Sequence, residues 1–134
     1  MTRLLTDTGP LVALLDADDS AHESCTAQLK SIHDLLVTSW PVVTEAMYLL
    51  GASLRAQKAL LQMIAKGELL VEDVSNHVER IERLMEKYHD VPMDFADASL
   101  VALAEANRWQ RIFTLDQDFR IYRLGGRRAF QMVP

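Results

Sequence analysis

RIFTLDQDF, residues Arg111–Phe119, is a short apolar strand that halts on a threonine and then places Asp116 and Asp118 two positions apart. The chain opens on the same pattern: RLLTDTGPLVALL, Arg3–Leu15, runs an apolar stretch into Thr6-Asp7. Judged singly, these are turn and cap residues, because aspartate and threonine side chains readily bond nearby backbone. Judged together, they ask whether two strand ends, about a hundred residues apart, meet and hold something positive. The answer depends on what lies between them.

Between them, short apolar runs alternate with helical periodicity. Strands are expected at Arg3–Thr6, Leu35–Ser39, Leu69–Val74, Ile112–Leu115 and Ala129–Val133. Helices are expected over Leu11–Leu15, from a cap at Asp19 or Ser20 through Ile32, and over Val42–Leu54, Arg55–Ala65, Ser75–Tyr88 and Phe95–Ala106. The runs are apolar throughout rather than alternating, as strands covered on both faces must be. A parallel pair needs a crossover, usually a helix, so the pattern predicts an α/β fold with a mostly parallel sheet. In such sheets ligands gather beyond the carboxyl ends of the strands, where strand order reverses. Asp7 and Asp116 are expected at that edge.

The bulk properties narrow the classes. A chain of 134 residues, with 49% hydrophobic and 25% charged residues, has ordinary globular composition and reads as one domain, 1–134. There are no repeats and no linker. The net charge of −5 disfavours a general nucleic-acid binder, but it is unevenly spread. From Arg108 onward six arginines face only Asp116 and Asp118, so an acidic body ends in a basic segment. A single cysteine, Cys25, forms no internal disulfide, the N-terminus lacks a leader pattern, and no apolar run is long enough for a bilayer. The expected location is the cytoplasm, without membrane contact. His22 and Cys25 fall three apart, yet no second pair completes a soft-metal site, so a packed thiol and a surface histidine are the expectation.

Each remaining acid has a bland reading. Asp7 begins a turn, and Glu45 suits the start of its helix. Asp94 and Asp97 have capping-box spacing, and Asp118 is the expected cap of the turn FRIYR. The combination says more, because acids from four separated segments map to strand ends or the helix starts that follow them. Two carboxylates about 4 Å apart repel by roughly 4 kcal/mol at an effective dielectric of about 20. Several together must protonate or recruit a cation. Oxygen donors without histidine or thiol favour a hard ion, Mg²⁺ or Mn²⁺, which can activate water against a phosphodiester.

LLTDTGPLVALLD, VTEAMYLL, DFADASLVALAE and IFTLDQDF, in this order, resemble the successive acidic motifs of the PIN domain, as found in the VapC-type ribonuclease toxins of bacterial toxin–antitoxin pairs. The resemblance covers essentially the whole chain. It implies a three-layer α/β/α sandwich with a five-stranded sheet and a Mg²⁺- or Mn²⁺-dependent endoribonuclease acting on RNA. It also implies a homodimer held in check by a small antitoxin protein. By motif, the metal-binding and catalytic acids are Asp7, Glu45, Asp97 and Asp116, with Thr114 as the hydroxyl residue ahead of the last. Asp94 is an addition to the motif, either a further ligand or a helix cap. Apolar residues on two successive helices, among them Leu54 and Leu61, are expected to leave a minority exposed for an antitoxin helix. Two alternatives stand beside this reading: an acidic-pocket phosphotransfer or phosphohydrolase domain using Asp7 as nucleophile, and a non-catalytic domain that binds RNA or a protein partner.

Overall fold

The computed structural model describes residues 2–134. Four parallel strands form in chain order: β1 (Arg3–Thr6), β2 (Leu35–Ser39), β3 (Leu69–Glu72) and β4 (Arg111–Phe113). A two-stranded hairpin follows, β5 (Arg123–Leu124) with β6 (Arg128–Ala129), and β7 (Gln131–Val133) then joins the main sheet in parallel beside β4. The five-stranded order is β3-β2-β1-β4-β7. Six helices flank it: α1 (Thr8–Leu15), α2 (His22–Ser31), α3 (Trp40–Leu49), α4 (Leu54–Ala65), α5 (Val78–Lys87) and α6 (Phe95–Asn107). Crossovers of this kind are right-handed. Helices α1–α4, which carry the chain from β1 to β3, therefore lie on one face, and α5 and α6, which return it to β4, lie on the other. The result is the expected three-layer α/β/α sandwich.

Strand order reverses at β1, which has β2 on one side and β4 on the other. The crevice predicted for such a switch point opens beyond the ends of β1 and β4. The two loops there are packed together: a Cβ at Gly9 would lie 3.4 Å from Leu115 Cδ1. The Asp7 N–H donates to Phe113 O at 2.9 Å, carrying the pairing one residue past β1. Helix α6 is the central crossover, and every residue from Ala96 to Ala104 is buried. Its apolar surface makes it a core element, which fixes Asp97 at the mouth of the crevice.

Local chemistry moved several expected boundaries. The stretch expected as one helix over Val42–Leu54 starts earlier, at Trp40, because Ser39 caps it by accepting the Val42 N–H, with Pro41 in the first turn. It ends at Leu49, and α4 restarts on its own cap, Ser53. The helix expected from Ser75 begins as a 3₁₀ turn, Ser75–His77, before α5. The second helix begins at His22 without a side-chain cap; Asp19 instead holds the Ala21 N–H at 2.8 Å in the preceding turn. The strand expected over Ala129–Val133 is divided between β6 and β7. Gly125 and Gly126, at φ of 59° and 76°, turn the chain into the hairpin first.

Candidate active site

Three acids from three separate elements converge at the switch point. Asp7, Asp97 and Asp116 each place a carboxylate oxygen within 4.8 Å of the others. Asp7 caps α1, with Oδ1 accepting the Thr8 N–H at 2.8 Å. Its Oδ2 accepts the Thr114 hydroxyl at 2.8 Å, and the same Thr114 oxygen accepts the Asp116 N–H at 3.0 Å. Thr114 thus ties the first acid to the last by two bonds. Its sequence position, two residues ahead of Asp116, makes this bridge possible.

Asp97 is held from two sides. Its Oδ2 accepts the Asp94 N–H at 3.3 Å, while Asp94 Oδ1 accepts the Asp97 N–H at 2.8 Å, a complete capping box. The Tyr122 hydroxyl also donates to Asp97 Oδ2, at 3.3 Å. Tyr122 is fully buried, in edge-on contact with Tyr88 and Phe119. Asp94 itself lies outside the three-acid group and is committed to the cap. Asp116, not Asp118, caps the short 3₁₀ turn Gln117–Arg120, by accepting the Asp118 N–H at 2.9 Å. That correction has a simple cause: the turn starts two residues earlier than the FRIYR pattern suggests, at Gln117 rather than Phe119, so the cap moves upstream with it.

Glu45 stands apart. It projects from α3 at the rim of the crevice and lines an apolar groove with Tyr48, Asp94 and Phe95. It is not one of the three acids that close within 4.8 Å. It nonetheless feels them, because burial first, and then the charges of Asp94, Asp7 and Asp116, push its carboxyl above the usual range. The Thr8 hydroxyl works against that rise without completing a hydrogen bond.

The electrostatics follow from crowding. Burial raises the Asp7 carboxyl despite its bonds from Thr114 and Thr8, and the Asp116 and Asp94 charges add to the rise. Asp97 is pushed up to about 8, by burial first and the Asp94 charge next. Tyr122 is driven upward by its own burial and by Asp97. The ion pairs of the described residues are Arg80–Glu105, His89–Asp90 and Arg111–Asp34, so none reaches these acids. A crowded set of hard oxygen donors with no counter-charge fits a divalent cation of the Mg²⁺ class.

Beneath the acids runs a layer of buried hydroxyls that sequence reading missed. Thr38 donates to Thr6 O at 2.7 Å, and Ser39 and Ser99 meet at 2.6 Å, locking the end of β2 to α6. Thr8 and Tyr122 were missed as well. For Thr8 a signal existed, its place directly after Asp7; for Tyr122 none did, since its approach to Asp97 depends on tertiary packing. His22 is half-buried rather than a surface residue, and its Nδ1–H donates to Ala13 O at 2.6 Å, joining α2 to α1. Cys25 is a buried free thiol, as expected.

Known proteins share this family and this fold. A family model for the PIN domain matches residues 4–124. The chain is 33% identical over 135 residues to Ribonuclease VapC26 of Mycobacterium tuberculosis, covering 98% of this chain and 100% of that protein. The fold resembles that of M. tuberculosis VapC20, a sarcin-ricin loop cleaving toxin, with a TM-score of 0.79 and 23% identity over 86% of this chain and 91% of that one. It also resembles a chain of a toxin–antitoxin complex from Klebsiella pneumoniae, with a TM-score of 0.65 and 21% identity over 87% of this chain and 89% of that one. A chain of VapBC2 from Rickettsia felis, bound to a promoter DNA fragment, matches with a TM-score of 0.67 and 12% identity over 99% and 100% of the respective chains.

Proposed function

We propose, from the premise that this chain belongs to the PIN-domain family, that it is a metal-dependent endoribonuclease and the toxin of a toxin–antitoxin pair. The observation that carries the reading is the convergence of Asp7, Asp97 and Asp116 within 4.8 Å, without a basic partner among the described residues. These acids would hold Mg²⁺ or Mn²⁺, and Glu45 would close the site from α3. Such an ion supplies Lewis acidity toward a water nucleophile and the phosphate oxygens of RNA.

The protein's own groups do the rest. Thr114 fixes the spacing of Asp7 and Asp116, and the capping box aims Asp97 from the start of a rigid buried helix. In the basic final segment Arg127 sits in the hairpin whose Gly125 N–H donates to Glu105 at 2.7 Å, at the far end of α6 from Asp97, whereas Arg120, exposed in the turn that Asp116 caps, would be free to hold a flanking phosphate. Arg123 is not, because its guanidinium donates to the Arg120 and Tyr122 carbonyls at 2.6 and 3.0 Å.

Partner surfaces support the toxin reading. Leu54 and Leu61 are 69% and 48% exposed, whereas Leu50 and Leu60 are buried, so a minority of the α3–α4 apolar residues is free to receive a protein. Beside them a groove of about 410 Å³ runs between the end of α1 and the α3–α4 turn, lined by Leu15, Leu49 and Ala56 among others. We assign this groove to an antitoxin segment, and the exposed rings of Trp40 and Tyr48 to a homodimer contact. No helix of the described residues is long and apolar enough to cross a membrane, and we place the protein in the cytoplasm.

The test is incubation of the purified protein with single-stranded and structured RNAs, in Mg²⁺ or in EDTA. Cleavage in Mg²⁺ that stops in EDTA is expected. RNA binding that survives EDTA without products would establish a non-catalytic domain instead. A stable phosphoaspartate at Asp7 after exposure to a small phosphodonor would establish the phosphotransfer alternative.

A further inference from the structure

Thr8 opens α1 immediately after Asp7 and is 5% exposed. Its Oγ1 is the one buried side-chain oxygen or nitrogen without a hydrogen-bond partner among the described residues. Folded proteins rarely leave such a group unpaired, because burying it forfeits its bonds to water. The usual remedy is closed. A threonine inside a helix can bond the carbonyl four residues back, but for Thr8 that residue is Leu4, a strand residue whose carbonyl takes the Thr6 hydroxyl at 3.1 Å. Every neighbouring hydroxyl of the site is occupied: Thr38 on Thr6, Ser39 on Ser99, Thr114 on Asp7.

Placement gives the unpaired group a purpose. The Thr8 N–H is fixed on Asp7 Oδ1 at 2.8 Å, and its hydroxyl faces the Glu45 carboxylate without bonding it. Thr8 therefore lies between the three-acid group and Glu45, the two parts of the site that are not joined by a hydrogen bond among the described residues. A neutral O–H is the right kind of group there. It can donate to an oxygen drawn in by a cation without adding a positive charge that would compete for the carboxylates.

We propose that the Thr8 hydroxyl is a further catalytic donor of this site, kept unpaired to bond an oxygen that enters between Asp7 and Glu45. That oxygen belongs to the scissile phosphate or to a water held there. The assignment rests on the ribonuclease reading.

Two substitutions test it. Thr8→Val keeps the shape and removes the hydroxyl; Thr8→Ser keeps the hydroxyl. Thr8→Val should lose about 10²-fold in kcat/KM for RNA, the lower end of what losing a single charge-stabilising donor costs. Its metal-free Tm should equal or exceed that of the wild type, since no native bond is lost, and Thr8→Ser should cut within about threefold of the wild-type rate. Mn²⁺ titration followed by electron paramagnetic resonance, without RNA, separates the two sources. A changed Mn²⁺ affinity in Thr8→Val identifies water as the guest, and an unchanged one identifies the phosphate. A Thr8→Val protein that cuts at the wild-type rate overturns the proposal, as does a loss of cutting matched by a lower Tm. If the wild type cuts no RNA, the ribonuclease reading falls and this proposal with it. A cutting wild type matched by Thr8→Val removes this proposal alone.

Discussion

The two ends of the parallel sheet hold aspartates under opposite conditions. At the strand starts, Asp34 accepts from the Thr2 hydroxyl and pairs with Arg111 Nη1 at 2.7 Å. Those bonds, Thr2 first and Arg111 next, hold its carboxyl below the usual range. At the strand ends, Asp7 and Asp97 have no cation beside them and are pushed upward by burial first and then by neighbouring carboxylates, Asp116 and Asp94 for Asp7 and chiefly Asp94 for Asp97. The residue type is the same and the sheet is the same. What differs is whether folding supplies the counter-charge, and on the ribonuclease reading proposed above that separates an acid that serves stability from one that serves chemistry.

The largest effect that would break this contrast is at Asp97. Asp97→Asn keeps the cap geometry within reach, because an amide oxygen still accepts from Asp94 and Tyr122, but it removes the charge. RNA cleavage should fall by at least about 10³-fold while the circular dichroism spectrum and Tm hold or improve. Full activity in this variant would remove the metal-centre assignment, whatever happened to Thr8.

A second effect is in pH dependence, where the sign separates the two ends. Burial and neighbouring charge push the Asp97 carboxyl up to about 8 in the folded chain, from 3.8 for an ordinary aspartate, so between those values the folded state binds more protons than the unfolded one. Stability from this group is therefore present in acid and is lost as pH rises through about 8. Asp7 and Glu45, also raised, slope the same way. The metal-free protein should thus lose a few °C of Tm, on the order of a small destabilisation for a domain of this size, between roughly pH 5 and pH 8.5. Mg²⁺ should erase that loss, because it replaces the proton as the counter-charge and stabilises the folded state by mass action. A Tm that rises with pH without metal, or ignores Mg²⁺ at pH 8.5, would show that the acids are not crowded in solution.

Much of the strand-end chemistry was legible in sequence, and the reason is physical. A strand covered on both faces must be apolar, so the polar residue that ends it stands out, as Thr6-Asp7 and Thr114 do. Asp94 and Asp97 announced themselves through a spacing that only a helix start uses. Tyr122 was silent because it reaches Asp97 from an irregular segment whose path is set by edge-on packing with Tyr88 and Phe119. Asp118 is the cap that the sequence pattern offers because such patterns place turns only to within a residue or two, and the turn starts two residues earlier, on Asp116. The division of the last strand likewise turned on two glycines at positive φ, whose consequence depends on where the chain must go next. The Asp34–Arg111 pair escaped notice for a different reason: its partners are 77 residues apart and meet only because β2 and β4 both flank β1.

That pair supplies the smallest and most discriminating prediction. Arg111→Gln leaves Asp34 with its Thr2 bond but without its cation. The Arg111 side chain is 41% exposed, so the pair is partly screened and its loss should cost about 1 kcal/mol or less. The sign opposes that of Asp97. A lowered carboxyl contributes stability above its ordinary pKa and loses it as pH falls through the folded value, so Arg111→Gln should narrow the stability gap with wild type in acid and widen it at neutral pH. RNA cleavage should stay within about twofold of wild type, because the change lies at the opposite end of the strands from Asp7 and Asp116. Chemical denaturation at pH 4 and pH 7, with cleavage measured on the same samples, checks both halves. A large loss of cleavage with little loss of stability would mean that the strand starts are not merely structural, and that the two ends of the sheet are coupled.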